Sequence, residues 1–426
     1  MNKKIALGLS SYQFMAMARR GLFYTFLSLY LMAGLGLSVT ATTLLASLSM
    51  ITNSVSQTFV WGRVSDRYRI RARLVVVGET TAAFGYILIY FLHIHILSTS
   101  GPIAAAYSII AGLTLLEFFW SMSNLGWSAL LSDLTTYKER GRLMSVVSSV
   151  GGVGRILGIS ISGMLYDWGG TGGGFRNGIL FFFPSCIMLA SALLIWFSTR
   201  FSERDIKNGM KSEAVSEDKT KQINRGLRAF YWFLVSISIA GLGSHSILQI
   251  LVFYVNLESP IGASALDIAM ISNSASIATI IFSLLAGPLA EKLGRKNAFS
   301  LGSALTVVTP VLYILAQDTL QMIIINSLSG ISVALISVVG YLLASDLIPA
   351  ERRGRLFGQY NAVTSASFGL AGTIVGGPIA DYMVSLGAAK AVAYTTTFQA
   401  AAIISLMGTI LFVLKVKPGS PRSDSS

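Results

Sequence analysis

Twelve runs of apolar residues, separated by short polar segments, follow one another along the chain. Each run is long enough to cross a hydrocarbon core about 30 Å thick as a helix, which takes roughly 20 residues. Because a helix satisfies its own backbone hydrogen bonds, the pattern predicts an all-α membrane protein with twelve transmembrane helices. The predicted spans cover residues 9–34, 40–62, 73–97, 102–131, 142–166, 177–199, 229–256, 266–290, 297–316, 320–345, 356–381 and 391–414.

The composition excludes several classes of protein. Of the 426 residues, 53% are hydrophobic and only 12% are charged, whereas a soluble domain carries about 25% charged residues. The lipid bilayer is therefore the predicted solvent. The net charge of +13 does not indicate a nucleic-acid partner, because the basic residues lie in short clusters between apolar runs and not on one face or tail. A single cysteine excludes an intramolecular disulfide, and three histidines without supporting carboxylates predict no metal or other cofactor.

The basic residues lie almost entirely in alternate polar segments. Lys and Arg are retained on the cytoplasmic side of membrane proteins, so this bias predicts a cell-membrane location with both termini in the cytoplasm. The segments predicted to lie outside contain only Arg176 and Lys390. The segments predicted to lie inside contain Lys3, Lys4, Arg63, Arg67, Arg69, Arg71, Arg73, Lys138, Arg140, Arg142, Arg200, Arg204, Lys207, Lys211, Lys219, Lys221, Arg225, Arg228, Lys292, Arg295, Lys296, Arg352, Arg353, Arg355, Lys415, Lys417 and Arg422.

The longest polar stretch, from about Ser202 to Arg225, separates six spans from six. It lacks a helix-sized apolar face and is interpreted as a linker. The tail after the last span is rich in Pro, Gly and Ser and is predicted to be disordered. The predicted parts are an amino-terminal bundle at 1–200, a cytoplasmic linker at 201–228, a carboxyl-terminal bundle at 229–416 and a tail at 417–426.

Two motifs recur at corresponding places in the two halves. Ser-Asp followed by Arg-Gly-Arg-Leu occurs after span four, within residues 132–143, and after span ten, within residues 345–356, at the same separation. A Gly that precedes an acid by four positions, with basic residues following, occurs within 62–71 and 287–296. This repetition predicts a duplicated transporter architecture.

These motifs resemble those of the major facilitator superfamily, whose signature between spans two and three is Gly, three variable residues, then Asp-Arg. The first copy has Arg69 where Gly is usual, and the second keeps Gly294 but has Glu291-Lys292 in place of Asp-Arg. The resemblance covers the whole chain. It implies two pseudo-symmetric six-helix bundles that transport a small-molecule substrate, with no enzymatic activity, and we expect a monomer.

The resemblance also implies that the motif residues form a cytoplasmic gate. Charge-assisted hydrogen bonds between acids and arginines would lock the two halves together while the site faces outward. The alternative interpretation is that the arginines only set the topology. The predicted gate residues are Gly62, Asp66, Arg67, Arg71, Asp133, Arg140, Arg142, Glu291, Arg295, Asp346, Arg353 and Arg355.

Few ionisable residues lie inside the spans, where each costs at least about 2.5–3.5 kcal/mol and indicates function. Glu117 lies near the middle of span four, and Arg155 lies near the middle of span five. In the arrangement that the resemblance implies, these two residues are within reach of each other near a central cavity. Arg19 and Arg20 are adjacent in span one and point about 100° apart. One of them is therefore expected to line the cavity while the other reaches an interface or a neighbouring helix.

Glu117 is the predicted proton-coupling residue. Arg155 and one of the paired arginines would bind substrate or adjust the proton affinity of that carboxylate, and a purely structural ion pair is the alternative. Glu79, a turn or two inside span three, is interpreted as a residue that reaches the cytoplasmic interface.

The second half carries neutral polar candidates within its spans. The predicted site residues there are His245, Gln249 and Asn326. A histidine titrates near neutral pH, but His245 is equally interpreted as a hydrogen-bonded packing residue. Aromatic residues on the predicted lining spans are further candidates for substrate contacts.

Together these features predict a secondary active transporter that moves a small organic solute by alternating access and is coupled to protons. No nucleotide-binding motif is present, which disfavours an ATP-driven pump. Apolar and aromatic lining residues favour efflux of amphipathic, drug-like compounds, whereas the arginines favour an organic anion or metabolite. A non-transporting membrane receptor or scaffold on the same fold is the alternative function.

Overall fold

The computed structural model describes residues 3–68, 70–133, 137–199, 220–258, 260–348 and 353–416, and these residues contain helices but no strand. The helices are α1 (Lys3–Leu29), α2 (Val39–Ser56), α3 (Gly62–Tyr68), α4 (Arg71–Ser100), α5 (Pro102–Asp133), α6 (Tyr137–Tyr166), α7 (Gly173–Arg176), α8 (Ile179–Thr199), α9 (Thr220–Ser246), α10 (Leu248–Val255), α11 (Ala265–Leu293), α12 (Arg295–Leu315), α13 (Thr319–Leu347), α14 (Arg353–Ala371), α15 (Gly377–Ser385) and α16 (Lys390–Lys415). Each of the twelve predicted spans is helical, so the predicted fold class is confirmed.

Ten helical stretches of the described residues are long and apolar enough to cross a membrane by length and composition alone. The first two predicted spans fall short of that measure for different reasons. The first contains the adjacent Arg19 and Arg20, and the second, α2, is rich in Thr and Ser. Both are nevertheless helical over their full predicted length.

Among the described residues, three spans contain a π-helical turn, at Tyr30–Gly34, Gln57–Trp61 and Gly372–Gly376. A π-helical turn inserts one residue per turn and is frequent at functional sites. The second of these turns joins α2 to α3, directly after the segment of α2 that contains Asn53. It therefore lies close in sequence to Asn53, which contacts one of the buried charges described below.

Large apolar side chains lie exposed along the helices. Leu88 and Phe91 on α4, Leu284 on α11 and Ile403 on α16 are among them. Soluble monomers rarely expose apolar surface of this extent. These side chains are the ones available to contact lipid.

The described helices fall into two compact units. The first unit comprises Met1–Lys211 and Ala263–Asn273, and the second comprises Ser212–Gly262 and Ser274–Ser426. Residues 200–219, most of the predicted linker, lie outside the described residues, as does the predicted tail at 417–426; α9 begins at Thr220, within the range predicted as linker. The bundle boundaries themselves remain a prediction.

In the first unit, α1 packs against α6 and α8, and α4 packs against α5 and α8. Glycines of α6 bring it very close to α1. A Cβ atom on Gly158 would lie 1.9 Å from the carbonyl oxygen of Ala18, and one on Gly154 would lie 2.3 Å from that of Phe14. Small residues let membrane helices approach in this way, which explains why span five is rich in glycine.

In the second unit, α9 packs against α14 and α16, and α12 packs against α13 and α16. Its core contains a cluster of aromatic rings: Phe233 lies with its ring centroid 5.4 Å from that of Phe299, and Phe299 lies 4.5 Å from Phe412. Gly294 joins α11 to α12 with a φ of 80°, a backbone conformation that favours glycine. This geometry accounts for the glycine that the second motif copy retains.

Candidate functional site

Three of the charged side chains that the structure describes are buried inside the first unit. Arg19 and Glu79 are each 1% exposed, and Glu117 is 7% exposed. They lie on α1, α4 and α5, and Arg20, which is partly buried, lies beside Arg19. Burial of this kind in a membrane protein is costly and indicates function.

Glu117 accepts a short hydrogen bond from the side-chain amide of Asn53 on α2. That amide is itself held in place, because Nε2 of Gln57 donates to Oδ1 of Asn53 across 2.5 Å. Gln57 is the first residue of the π-helical turn. The turn therefore orients the only hydrogen-bond donor that the described residues provide to this carboxylate.

Arg19 and Arg20 share one aromatic neighbour. The Cζ atoms of Arg19 and Arg20 lie 4.2 Å and 4.8 Å from the ring centroid of Trp120, within the range of cation–π attraction. Nη2 of Arg20 also donates to Oδ1 of Asn124 across 3.1 Å. Glu117, Trp120 and Asn124 lie three and four residues apart on α5, so they share one face of that helix.

Arg19 was expected either to line a cavity or to reach toward an interface or a neighbouring helix, and it packs wholly inside the unit. Its Nε, Nη1 and Nη2 atoms are buried and have no hydrogen-bond partner among the described residues. A buried guanidinium without hydrogen bonds is costly. Trp120 and the surrounding negative charges are what offset that cost.

The interpretation of Glu79 as an interfacial residue is wrong. Its Oε1 atom accepts three hydrogen bonds, from the hydroxyl of Tyr12 at 3.0 Å, Nε1 of Trp120 at 2.9 Å and the hydroxyl of Ser123 at 2.7 Å. The donors come from α1 and α5, and α5 packs against the helix that carries Glu79. Glu79 therefore joins three helices from within the bundle.

The expected pairing of Glu117 with Arg155 is not formed. Arg155 lies on α6 with an exposed side chain, and Arg20 is the charged group that acts on it. The charged groups that act on Glu117 are Arg20 and then Arg19. The face of α5 that carries Glu117 thus also carries Trp120, the ring that both arginines of span one contact, whereas Arg155 lies on α6.

In the second unit, Asn326 and His245 contact side chains of neighbouring helices. Asn326 is buried, and its Oδ1 atom accepts a hydrogen bond of 2.7 Å from the hydroxyl of Tyr313 on the neighbouring α12. The ring of His245 packs edge-on against Phe368, with 5.3 Å between the centroids. Gln249 is partly buried, and its Oε1 atom has no hydrogen-bond partner among the described residues. No group of His, Cys, Asp and Glu that could hold a metal ion is present in the described part of the chain.

Comparison with known proteins identifies the family. The sequence matches the model of the Major Facilitator Superfamily over residues 9–262 and again over residues 250–426. The chain belongs to the major facilitator superfamily. It is therefore a multi-pass membrane transporter and not an enzyme, which confirms those predictions, and the double match agrees with the repeated motifs.

Related sequences within the superfamily include drug exporters. The multi-drug resistance efflux pump PmrA homolog of Lactococcus lactis is 24% identical over 397 residues, which cover 91% of this chain and 87% of that protein. Multidrug resistance protein 2 of Bacillus subtilis is 28% identical over 194 residues, which cover 43% of this chain and 46% of that protein. Both relatives are transporters, and their similarity supports the interpretation of this chain as a secondary transporter.

Solved structures of superfamily transporters have the same fold. The nucleoside transporter NupG superimposes with a TM-score of 0.71 at 13% identity, covering 98% of this chain and 100% of that chain. A bacterial homologue of the iron transporter ferroportin superimposes with a TM-score of 0.71 at 14% identity, with the same coverage. At these identities the likeness concerns the fold alone.

The structure describes the side chains of half of the predicted gate residues. Arg295, at the start of α12, forms an ion pair with Asp346 near the end of α13. Both helices belong to the second unit, so this pair joins two helices of one half. Gly62, Arg67, Arg71 and Glu291 are also described, whereas the side chains of the following predicted residues lie outside the described set: Asp66, Asp133, Arg140, Arg142, Arg353 and Arg355.

Several residues of the site were not singled out from the sequence. Asn53 and Tyr12 are polar residues within apolar spans and carry no charge that would mark them. Ser123 and Asn124 follow Trp120 by one helical turn, and this spacing places them near the face of α5 that carries Glu117. The spacing does not stand out in the sequence, because polar, uncharged side chains are common in membrane helices and most of them bond to their own backbone.

Proposed function

We propose that this superfamily member exports amphipathic, drug-like compounds across the cytoplasmic membrane by alternating access, in exchange for protons. The observation that carries the proposal is the buried Glu117, which is 7% exposed and has one described hydrogen-bond donor, Asn53. A carboxylate so placed inside a membrane protein can bind and release a proton as its surroundings change. The efflux pumps among the related sequences support the substrate class.

The physical sequence of the proposed cycle follows from the charges around Glu117. Arg19 and Arg20 stabilise the carboxylate form, and the amide of Asn53 donates to it. When Glu117 binds a proton, its attraction for the two arginines is lost, and the repulsion between them is no longer offset by that charge. This change in electrostatic balance favours a different arrangement of the helices that carry these groups.

The orientation and the gate are part of the same proposal. The distribution of Lys and Arg supports both termini in the cytoplasm. The ion pair of Arg295 with Asp346 lies at the end of the helices that this orientation assigns to the cytoplasm. We propose that the motif residues stabilise the closed state of that side and that the transporter acts as a monomer.

The test uses purified protein in proteoliposomes with an imposed pH gradient. Ethidium serves as the lipophilic cation, and Glu117→Gln removes the charge while keeping the size of the side chain. We expect gradient-driven accumulation of ethidium by the unmodified protein and its loss in the variant. Glu258→Gln is the matched control, because Glu258 is exposed and lies in the loop after α10, so its replacement is expected to leave accumulation unchanged. Ethidium flux that ignores the pH gradient, or full coupling in Glu117→Gln, contradicts the proposal.

A second substrate class is favoured by the exposed Arg155. Among the described residues, the charged group that acts on it is another cation, Arg20, so the pair would be stabilised by an anionic ligand. Radiolabelled benzoate in the same proteoliposomes tests this class. Accumulation of benzoate without accumulation of ethidium would favour the transport of organic anions over the export of drug-like cations.

A further inference from the structure

Glu79 and Arg19 present complementary atoms that lack partners. Oε2 of Glu79 is buried and accepts no hydrogen bond, while all three guanidinium nitrogens of Arg19 donate none among the described residues. Glu79 is nevertheless the charged group that attracts Arg19 most strongly. Two opposite charges buried in one bundle attract each other strongly, because the surroundings screen them poorly.

Trp120 contacts both Glu79 and Arg19. Its Nε1–H donates to Glu79 at 2.9 Å, and the face of its ring lies 4.2 Å from Cζ of Arg19. The hydroxyls of Tyr12 and Ser123 occupy the same carboxylate oxygen, Oε1. All three donors therefore bind one oxygen, and the other oxygen is left available to a fourth partner.

Arg19 is placed to interact with two carboxylates. Its guanidinium lies over Trp120, which donates to Glu79 and follows Glu117 by one turn on α5, so both carboxylates contribute to the charge around it. The other titratable groups around it are Arg20, over the same ring, and the hydroxyls of Tyr12, Tyr24 and Tyr86. Helix α6, which packs against α1, carries Arg155. From α2, Glu117 is faced by the uncharged Asn53, and α8, which packs against α4, carries only the exposed Cys186 as a titratable group.

We propose that Glu79 is a positioning residue for proton coupling, which receives Arg19 when Glu117 binds a proton and releases it when Glu117 becomes charged again. Protonation adds one proton to a carboxylate oxygen of Glu117, and no covalent bond breaks. Arg19 then pairs with the vacant Oε2 of Glu79 and so is not left as an uncompensated buried charge. This role rests on the proposed function for the direction of coupling, but the competition for Arg19 is measurable without any substrate.

The test is an infrared pH titration of the purified, reconstituted protein, which follows the protonated-carboxyl band of Glu117; the band is identified by its absence in Glu117→Gln. In Glu79→Gln, Arg19 belongs to Glu117 alone and stabilises its charged form, so the band is expected to titrate at lower pH. We expect the proton affinity of Glu117 to fall about tenfold, which is one unit in the titration midpoint. Glu79→Asp, which keeps the charge, is expected to restore the midpoint in part.

The decisive control repeats the comparison in an Arg19→Gln background. Removal of Glu79 also removes a direct repulsion between two carboxylates, which lowers the same midpoint without any help from Arg19. If Arg19 mediates the effect, the shift caused by Glu79→Gln falls to less than about twofold in the absence of Arg19. A shift of equal size in both backgrounds, or an unchanged midpoint in a folded Glu79→Gln variant, overturns the inference.

The two proposals fail in different ways. Absence of coupled ethidium flux, with the infrared shift present, contradicts the proposed transport function and leaves the competition for Arg19 supported. Coupled flux with no infrared shift supports the transport function and overturns the role of Glu79. Thermal unfolding of each variant shows whether a lost signal reflects misfolding, and Glu79→Asp, which retains the acceptor, then carries the test.

Discussion

Removal of the amide that binds Glu117 is expected to move the pH dependence of transport upward. In Asn53→Ala, the carboxylate loses the single donor that the described residues supply to it. A hydrogen bond to a charged group contributes about 1.5–3 kcal/mol, and one unit of proton affinity corresponds to about 1.36 kcal/mol. The charged form is the one that the amide stabilises, so the midpoint of the pH–flux profile should rise by roughly 1–2 units.

The assay is gradient-driven ethidium flux in proteoliposomes over a series of pH values, with maximal flux and midpoint fitted separately. Gln57→Ala is expected to give a smaller shift in the same direction, because Gln57 only orients the amide of Asn53. Asn297→Ala is the matched control, since that exposed amide donates to a backbone carbonyl of α11. A lower midpoint in Asn53→Ala, or an unchanged one with normal folding, would refute the assignment of Glu117 as the coupling residue.

Three further outcomes are expected. Gly158→Ala should lower the thermal unfolding temperature in detergent, because its Cβ would lie 1.9 Å from a backbone oxygen of α1 and overpacking costs about 1–3 kcal/mol. Gly358→Ala should leave that temperature unchanged, because no atom lies within 4 Å of the new Cβ. Equal effects of the two substitutions would contradict the packing of α6 against α1. Trp120→Phe removes one hydrogen-bond donor to the buried carboxylate of Glu79 and should destabilise the protein by about 1.5–3 kcal/mol. Trp120→Ala should destabilise it more, because it also removes the cation–π contact. Equal losses of stability in the two variants would show that the ring contributes nothing. Asp346→Asn should change stability by less than about 1 kcal/mol, because the side chains of Arg295 and Asp346 are 41% and 49% exposed, yet raise the exchange rate of ethidium if the pair acts as a gate.

The position of a charge along the chain predicts where it lies along a span. Glu117 is predicted in the middle of span four, and the structure places it on α5 with a buried side chain. Position along the span does not predict its partner: the implied arrangement favours Arg155, whereas the hydrogen bond to Glu117 comes from Asn53. For the same reason Glu79, near the end of a predicted span, was interpreted as interfacial although it is fully buried.

The sequence by itself determined the solvent, the number of spans and their duplication, because these depend on hydropathy, charge and motif spacing, which are properties of contiguous segments. Only the tertiary structure decided which side chains meet. Tyr12 and Glu79 are separated by 67 residues, and Arg20 and Asn124 by 104, so their contacts depend on how each helix is rotated about its axis. That rotation is set by close packing at glycines such as Gly158 and by the π-helical turn after Asn53, and neither effect is readable from one helix alone.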